Sequence, residues 1–290
     1  MIPFNKFYNQ FNIVSISLIV ISLILLFIKG LNFGIDFKGG TLIELRSTET
    51  KINVSSLREN LNQMDLGDVS VKNFGNKTDY LIKFENNNDK NIIDKIKTNL
   101  DKSFGNNFDF RRVENVGPKV SAELLRSGVI AISVALALML IYIWIRFEWQ
   151  FSLGAILALF HDVIVTLGLF SLLGLEINLS IIAAVLTIVG YSMNDTVVIF
   201  DRVRENLRKY KKMELVEIFN LSVNNTLSRT VMTSLTTLLA LFSLFIFGGE
   251  VIRPFALTMI IGVVIGTYSS VFIAVPTLLI FKFRPQDEND

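Results

Sequence analysis

Six long apolar runs dominate this chain and limit what it can fold into. Each holds about 20 residues, roughly the length that a helix needs to cross about 30 Å of hydrocarbon. The runs are approximately 11–28, 127–145, 151–173, 179–200, 230–247 and 255–281. Hydrophobic residues make up 51% of the 290, more than an ordinary soluble domain contains. The sequence therefore predicts a membrane protein with an all-α bundle of six transmembrane helices.

The first run is expected to stay in the chain as an anchor. Only Lys6 precedes it as a basic residue, and no small-residue cleavage site follows it before Gly30. We therefore assign residues 1–30 to the N-terminus and first span. Residues 127–285 contain the other five spans, and 286–290 form a short tail.

Basic residues orient the spans. Segment 201–229, predicted as a loop between the fourth and fifth runs, is rich in them: Arg202, Arg204, Arg208, Lys209, Lys211 and Lys212. Short loops rich in Lys and Arg stay on the cytoplasmic side. The opposite connections, around Glu176 and around 250–253, carry little positive charge. Both termini are therefore expected in the cytoplasm.

The polar segment 31–126 has the patterns of a separate domain. "TLIELR", "VSVKNF", "DYLIKF" and "NFDFRRVENV" are typical of strands, the middle two forming a hairpin around a turn at 75–78. "VSSLRENLNQM", behind a Ser or Asn cap, and "DKNIIDKIKTNLDKSF" have apolar residues at helical spacing. The order βαββαβ predicts a small ferredoxin-like α+β domain on the exported side. Because the chain has no cysteine, packing must stabilise it.

Enzyme signatures are missing from the sequence. With His161 as the single histidine, a helical zinc motif with two histidines is impossible, and no nucleophile elbow or phosphate loop is present. A protease dyad of Asp162 and Asp195 is conceivable, but no local motif supports it. We expect no enzyme, no metal site and no cofactor.

Asp195 is the residue that most needs a function. Placing an ionised acid near the centre of a spanning helix costs roughly 2.5–3.5 kcal/mol, so such residues usually face the bundle interior or a wet cavity. Tyr191, Asn194 and Thr196 give it a supporting polar stripe, which is expected to face neighbouring helices. The stripe could simply join helices by hydrogen bonds. An amide would do that without the desolvation cost of an acid, so we favour a proton relay at Asp195.

Other polar and small residues in the spans carry weaker hypotheses. Arg229 opens the fifth span on the side where the fourth ends, and it is either the charged partner of Asp195 or a snorkelling anchor. His161 and Asp162 form a possible secondary relay, although a structural His and a packing contact at Asp162 are the plainer interpretation. Gly262 and Gly266 form a small-xxx-small pattern that predicts a helix crossing.

Several motifs, in fixed order along nearly the whole chain, carry a family resemblance. They are "FGIDFKGGT" after the first span, "VGPKVSAEL" before the second, "GYSMNDTVVIFDRVREN" closing the fourth, "LSRTVMTS" opening the fifth and "FGGEVIRPFALTMIIGVVIGTYSS" in the sixth. The chain resembles the SecD/SecF family of bacterial protein-export membrane subunits, which is similar to the resistance-nodulation-division (RND) transporters. The resemblance implies half of an RND-type transporter.

The resemblance also implies a function and partners. It implies an inner-membrane subunit that works with SecD, the SecYEG channel and YajC, and that uses the proton-motive force to promote translocation and release of unfolded chains. The family's proton-passage residues correspond to Asp195 and Arg229. By resemblance alone, the motif after the first span has a hinge or coupling role. Its members are Gly34, Asp36, Gly39 and Gly40. The plain structural interpretation is that the glycines allow tight turns.

Two alternatives share the membrane features. A proton-coupled exporter of lipid or small molecules would use the same half-transporter, but exporters of this superfamily carry much larger exported domains. A scaffold without a transport role would make Asp195 dispensable.

Overall fold

The chain divides into two compact units. The computed structural model describes residues 1–48, 52–85, 91–105 and 108–281. One unit, Phe33–Ile130, is called the α/β domain below, and the other, called the membrane unit, combines Met1–Asn32 with the chain from Ala131 onward. The sequence-based boundaries of the polar segment, 31–126, lie within four residues of these. The tail predicted over 286–290 lies outside the described residues.

Helices and strands alternate along the first part of the chain, and helices dominate the second. In chain order the elements are α1 (Tyr8–Ile28), β1 (Asn32–Phe33), α2 (Ile35–Lys38), β2 (Gly40–Ser47), α3 (Val54–Asn62), β3 (Ser70–Phe74), β4 (Asn76–Phe84), α4 (Ile92–Phe104), β5 (Phe108–Val116), α5 (Pro118–Arg146), α6 (Trp149–Leu173), β6 (Glu176–Ile177), α7 (Leu179–Lys209), α8 (Leu215–Phe247), α9 (Gly249–Ser269) and α10 (Val275–Ile280). A 3-10 turn, Phe4–Phe7, precedes α1, and a π-helical turn, Ser270–Ala274, joins α9 to α10.

The prediction of six spans is confirmed. Among the described residues, six helical segments are long and apolar enough to cross a membrane. They are the 3-10 turn with α1, then α5, α6, α7 and α8, and finally α9 with the π-helical turn and α10. The protein is therefore an integral membrane protein built mainly of helices.

The prediction of a loop over 201–229 is wrong, because most of that segment is helical. The helix α7 continues to Lys209 and α8 already begins at Leu215, so only 210–214 connect them. Both helices continue to bury apolar side chains beyond the apolar runs, for example Val203 on α7 and Phe219 on α8. The connection expected around 250–253 is likewise helical, since Gly248 alone separates α8 from α9.

The first span buries two serines and exposes most of its apolar side chains. In α1, Ser15 and Ser22 are buried, seven residues apart, whereas Phe27 is 92% exposed. Ser15 Oγ lies 2.7 Å from the hydroxyl of Tyr268, and a Cβ added at Gly168 would collide with Ser22. The exposed apolar surface suits lipid, and the serines allow close contact with other helices.

A short N-terminal strap, residues 2–7, fastens the start of the chain to α8. The Asn224 side chain bonds both polar groups of the Ile2 backbone, accepting from its N–H at 2.8 Å and donating to its carbonyl at 2.9 Å. One turn away, Asn220 Nδ2 donates to Asn5 Oδ1 at 3.0 Å. Phe4 is buried, with its ring edge against Phe272. The strap therefore joins the membrane unit on the side of the α7–α8 connection.

The α/β domain contains the βαββαβ order expected from the sequence. Its sheet has the strand order β3-β4-β2-β5 with antiparallel pairing throughout, and Ile43 of the central strand β2 lies opposite Ile82 and Val113. The hairpin turn is tighter than predicted. Gly75 alone separates β3 from β4, and its φ of 75° is in the left-handed region that favours glycine.

Two helices supply the apolar layer that covers this sheet. The side chains buried together come from β2, β4, α3 and α4: Ile43, Leu45, Tyr80, Ile82, Leu57, Leu61, Ile96 and Leu100. Asn53 begins α3 by accepting a hydrogen bond from the N–H of Ser55 at 2.9 Å. Each fully buried Leu or Ile side chain contributes roughly 1.5–3 kcal/mol, so this core explains why the domain needs no disulfide.

Candidate functional site

The polar stripe predicted on α7 divides between two environments. This helix begins behind Asn178, whose side chain accepts from the N–H of Ile181. Asp195 and Thr196 are buried, Tyr191 is half-buried, and Asn194 is exposed at the surface of the chain. The hydroxyl of Tyr191 donates to Thr237 of α8 at 3.3 Å. Only part of the stripe therefore faces the interior of the membrane unit.

Asp195 lies where three spans meet. Its side chain is 3% exposed, and Thr267 Oγ1 of α9 donates to its Oδ2 at 3.5 Å. Thr267 in turn lies 2.8 Å from the hydroxyl of Ser234 on α8. The site thus consists of a buried carboxylate from α7 and hydroxyls from α8 and α9. Sequence reasoning missed Thr267 and Ser234, because hydroxyl side chains recur along both spans and no local pattern distinguishes these two.

Arg229 lies on α8 and is exposed at the surface of the chain. Among the described residues, no ion pair within 4.0 Å joins it to Asp195. The structure therefore does not pair Arg229 directly with Asp195.

The second buried acid, Asp162, is better satisfied than Asp195. It is completely buried, and its Oδ2 accepts from Ser192 at 2.6 Å and from Ser269 at 2.8 Å. Nδ1 of His161, also buried, lies 3.0 Å from Asp162 Oδ1. The acid therefore joins α6, α7 and α9. The serines were not part of the sequence hypothesis, since they are 30 and 107 residues distant along the chain.

Helix crossings beside both acids depend on glycine. A Cβ added at Gly262 would collide with the side chain of Ile188, and one at Gly266 would come 2.8 Å from Ser192 Cβ. Both glycines thus lie where α9 crosses α7. Because glycine has no side chain, the two helices come close enough for Ser192 and Ser269 to reach the same carboxylate oxygen.

The motif after the first span belongs to the α/β domain. Asp36 lies in the single turn of α2, and Gly39 and Gly40, with φ of 79° and 130°, lead from that turn into β2. A Cβ at Gly40 would approach the carbonyl oxygen of Phe84 to 2.7 Å. Gly34 differs from the expectation, since its φ of −74° is ordinary extended backbone that any residue adopts.

The described part of the chain contains no set of side chains suited to bind a metal ion. No group of three or more His, Cys, Asp or Glu side chains is gathered there. The arrangement around Asp195 and Asp162 consists of carboxylates, hydroxyls and one imidazole, which exchange protons and hydrogen bonds. The hydrogen bonds of both carboxylates join neighbouring spans.

Comparisons with known proteins agree on one family. The C-terminal model of the SecD/SecF protein export membrane proteins matches residues 95–284, and the SecD/SecF GG motif matches residues 24–51. Protein translocase subunit SecF of Rickettsia bellii (strain OSU 85-389) is 49% identical over 270 residues, covering 92% of this chain and 89% of that protein. The Rickettsia rickettsii (strain Sheila Smith) protein of the same name is 47% identical, with 93% and 88% covered.

Solved structures give the same result. The crystal structure of SecDF, a translocon-associated membrane protein from Thermus thermophilus, has a TM-score of 0.87 at 38% identity. A second SecDF structure, in the super-membrane-facing form, has a TM-score of 0.71 at 37% identity. Each match covers 96% of this chain and 38% of the SecDF chain, so this chain spans well under half of that protein. The chain therefore belongs to the SecD/SecF family of protein-export membrane proteins.

Proposed function

We propose that this chain is a protein-export subunit that works with a SecD partner and uses the proton-motive force to promote translocation and release of unfolded chains. The names of its relatives, protein translocase subunit SecF, support the export role. The matched Thermus protein combines SecD and SecF, which supports SecD as the partner. By family resemblance, the SecYEG channel and YajC are further partners.

The observation that carries the proposal is the state of the buried Asp195 carboxylate. It lies among three spans, yet the hydrogen bond from Thr267 is long, 3.5 Å against 2.6 and 2.8 Å at Asp162. Thr267 also lies 2.8 Å from Ser234, so its hydroxyl has a second partner. A buried carboxylate whose hydrogen bond is long gains or loses a proton with a small rearrangement of its neighbours.

The proton-motive force supplies enough energy for such a switch. Moving one charge through 100 mV releases about 2.3 kcal/mol. At about 1.4 kcal/mol for each factor of ten, this shifts a balanced two-state equilibrium about fiftyfold. A single relay residue therefore suffices to couple proton entry to a change in helix packing.

The proposal places both termini in the cytoplasm of a bacterium, with the chain in the inner membrane. The basic residues near the α7–α8 connection support that side as cytoplasmic. The N-terminal strap supports the same side for the first residues, because Ile2 bonds to Asn224 near the start of α8. On this arrangement the α/β domain is exported.

The competing function, export of lipid or small molecules, has less support. Its membrane features would be the same, but the most similar relatives reported above carry the name of protein translocase subunits. The chain is a transport component, and we assign it no catalytic residue.

The test is Asp195→Asn in the full chain, assembled with its SecD partner in inverted membrane vesicles. Asparagine keeps the shape of the side chain but cannot ionise. We expect normal insertion and assembly, and loss of the part of export that an uncoupler removes from the unchanged protein.

Asp201→Asn provides the matched control. Asp201 lies six residues further along α7, is exposed, and pairs with Arg146 at 2.9 Å. Vesicles with Asp201→Asn should export normally, because exposed ion pairs contribute little to stability. If Asp195→Asn vesicles export at the unchanged rate and respond equally to the uncoupler, Asp195 is structural and the relay assignment fails.

A further inference from the structure

We propose that Asp162 is a positioning residue: it holds one turn of the sixth span against the fourth, and so keeps Thr267 beside Asp195. The inference rests on the proposed function, since it explains how the surroundings of the relay residue are maintained. It assigns Asp162 no proton transfer of its own.

The turn in question, 266–270, is bound from two sides by acids of two other helices. Thr267 donates to Asp195 of α7, whereas Ser269 donates to Asp162 of α6. Two residues along an α-helix are separated by about 200° around its axis. The two carboxylates therefore hold nearly opposite sides of the same turn, and a shift of Ser269 moves Thr267 with it.

The turn adjoins the π-helical segment Ser270–Ala274. A π-helical turn is rare and occurs frequently at functional sites. Ser270 Oγ contacts Thr196 Oγ1 at 2.8 Å and donates to the carbonyls of Ser192 and Gly266 at 3.3 and 2.8 Å. Tyr268, on another side, donates to the carbonyl of Phe11 in the first span. Side-chain bonds to α1, α6 and α7 thus hold the region where regular helical bonding changes.

Asp162 is suited to hold this turn and poorly suited to carry protons. Its two oxygens have three partners, Ser192, Ser269 and His161, all within 3.0 Å and all buried. If Asp162 stopped accepting these hydrogen bonds, the buried donors of its partners would be left unsatisfied. Asp195, in contrast, has a long hydrogen bond, 3.5 Å, from Thr267. The two acids differ in the number and length of their bonds, and we assign them different roles on that basis.

The position of the turn can be measured because the chain has no cysteine. Thr196 and Ser270 have hydroxyl oxygens 2.8 Å apart. Thr196→Cys combined with Ser270→Cys therefore places two sulfurs within reach of a disulfide. The yield of that disulfide, in the full chain assembled with its partner in membranes, reports whether the sixth span keeps its position against the fourth. Export is measured separately, without these cysteines.

Two variants of Asp162 separate positioning from proton transfer. Asp162→Leu should lose the disulfide and the uncoupler-sensitive part of export, because Ser192 and Ser269 lose their shared acceptor. Asp162→Asn should keep both, because its amide oxygen accepts from the two serines and its N–H donates to His161. Thr166→Val is the matched control: Thr166 is buried one turn further along α6, and its hydroxyl has no partner in the described part of the chain.

Several outcomes would overturn the proposal. If Asp162→Asn loses gradient-dependent export while the disulfide still forms, Asp162 itself carries protons. If Asp162→Leu keeps the disulfide and export, the acid does not position the turn. Should Asp162→Leu fail to accumulate, Ser269→Ala removes one of the donors at little change in volume, and an unchanged disulfide yield and export in that variant also refute the idea.

The relay assignment fails by a different result. Normal, uncoupler-sensitive export with Asp195→Asn would reject the proposed function even if the disulfide responds to Asp162→Leu as expected. The two hypotheses are therefore tested by separate variants and separate measurements.

Discussion

The two units of this chain differ in the polar side chains that they bury and in the apolar ones that they expose. The α/β domain has an apolar interior, with Ile43, Leu57 and Leu100 completely buried. The membrane unit buries His161, Asp162 and Asp195 as well, and exposes residues such as Phe27. In water, removing apolar surface drives folding. In lipid that force is missing between helices, and close packing with hydrogen bonds replaces it.

The difference shows where the information on function lies in each unit. A buried Leu in the α/β domain needs no explanation beyond stability. A buried acid in the membrane unit costs free energy unless it is protonated or hydrogen-bonded, so its presence indicates a role. The comparison predicts that the membrane unit is most sensitive at glycines and polar residues, and the α/β domain at apolar ones.

The largest effect is expected from Gly262→Leu, which tests whether close packing holds the membrane unit together. A side chain at this position collides with Ile188, so α9 cannot cross α7 as it does now. We expect loss of the assembled complex, measured by size-exclusion chromatography of the full chain with its partner. Gly190→Leu, in the same pair of helices but with open space around its Cβ, should assemble normally. Equal behaviour of the two variants would contradict the crossing.

A smaller effect is expected from Leu100→Ala, which tests the apolar core of the α/β domain. Leu100 is completely buried, and truncating such a residue typically costs about 2–5 kcal/mol. Hydrogen exchange of α4 and β4 in the full chain should rise accordingly. Leu239→Ala is the matched variant in the membrane unit, where Leu239 is 62% exposed. It should change little, and similar losses in both units would refute the comparison.

The smallest effect concerns an ion pair of the α/β domain. Arg46 donates two hydrogen bonds to the Asp79 carboxylate, at 2.5 and 2.7 Å, and thereby holds the pKa of Asp79 below its usual range. A lowered pKa means that the contribution to stability is complete above the ordinary pKa of Asp, about 3.9. It is then lost as the pH falls through the lowered value.

Asp79→Asn should therefore destabilise the domain modestly at neutral pH, by less than Leu100→Ala, and remove this part of its acid sensitivity. The exchange rate of β2 and β4 amides, followed from neutral to acid pH, is the measurement. If the unchanged chain and Asp79→Asn lose protection in parallel over the acid range, the ion pair contributes nothing to the stability of the domain.

The sequence could predict what depends on local pattern. Apolar runs identified the six spans, and alternation identified strands such as "TLIELR", observed within β2. The ends of α7 and α8 could not come from hydropathy, because beyond the lipid they are amphipathic. The spacing of Val203 and Leu207, both buried, was the signal that a search for helical periodicity would have found.

The candidate site was predictable only in part, for a physical reason. A lone acid in an apolar run is visible at once, as Asp195 is. Its environment depends on residues distant in sequence, such as Thr267, which is 72 residues away. The same holds for Asp162, whose serine partners lie on two other helices. Sequence pattern therefore indicated the acids, while the difference between a loosely bonded and a well-bonded carboxylate required the structure.

The N-terminal strap has a consequence for the timing of assembly. Ile2 bonds to Asn224, which is made 222 residues later. At synthesis rates of about 5–20 residues per second, the first span waits about 10 to 45 seconds in the membrane before its partner on α8 exists. During that interval Phe4 and the polar groups of Ile2 have no native contact on α8 or on the π-helical turn. The strap therefore cannot bond to α8 before the first turns of that helix are made, and Phe4 cannot pack on Phe272 before the sixth span is made.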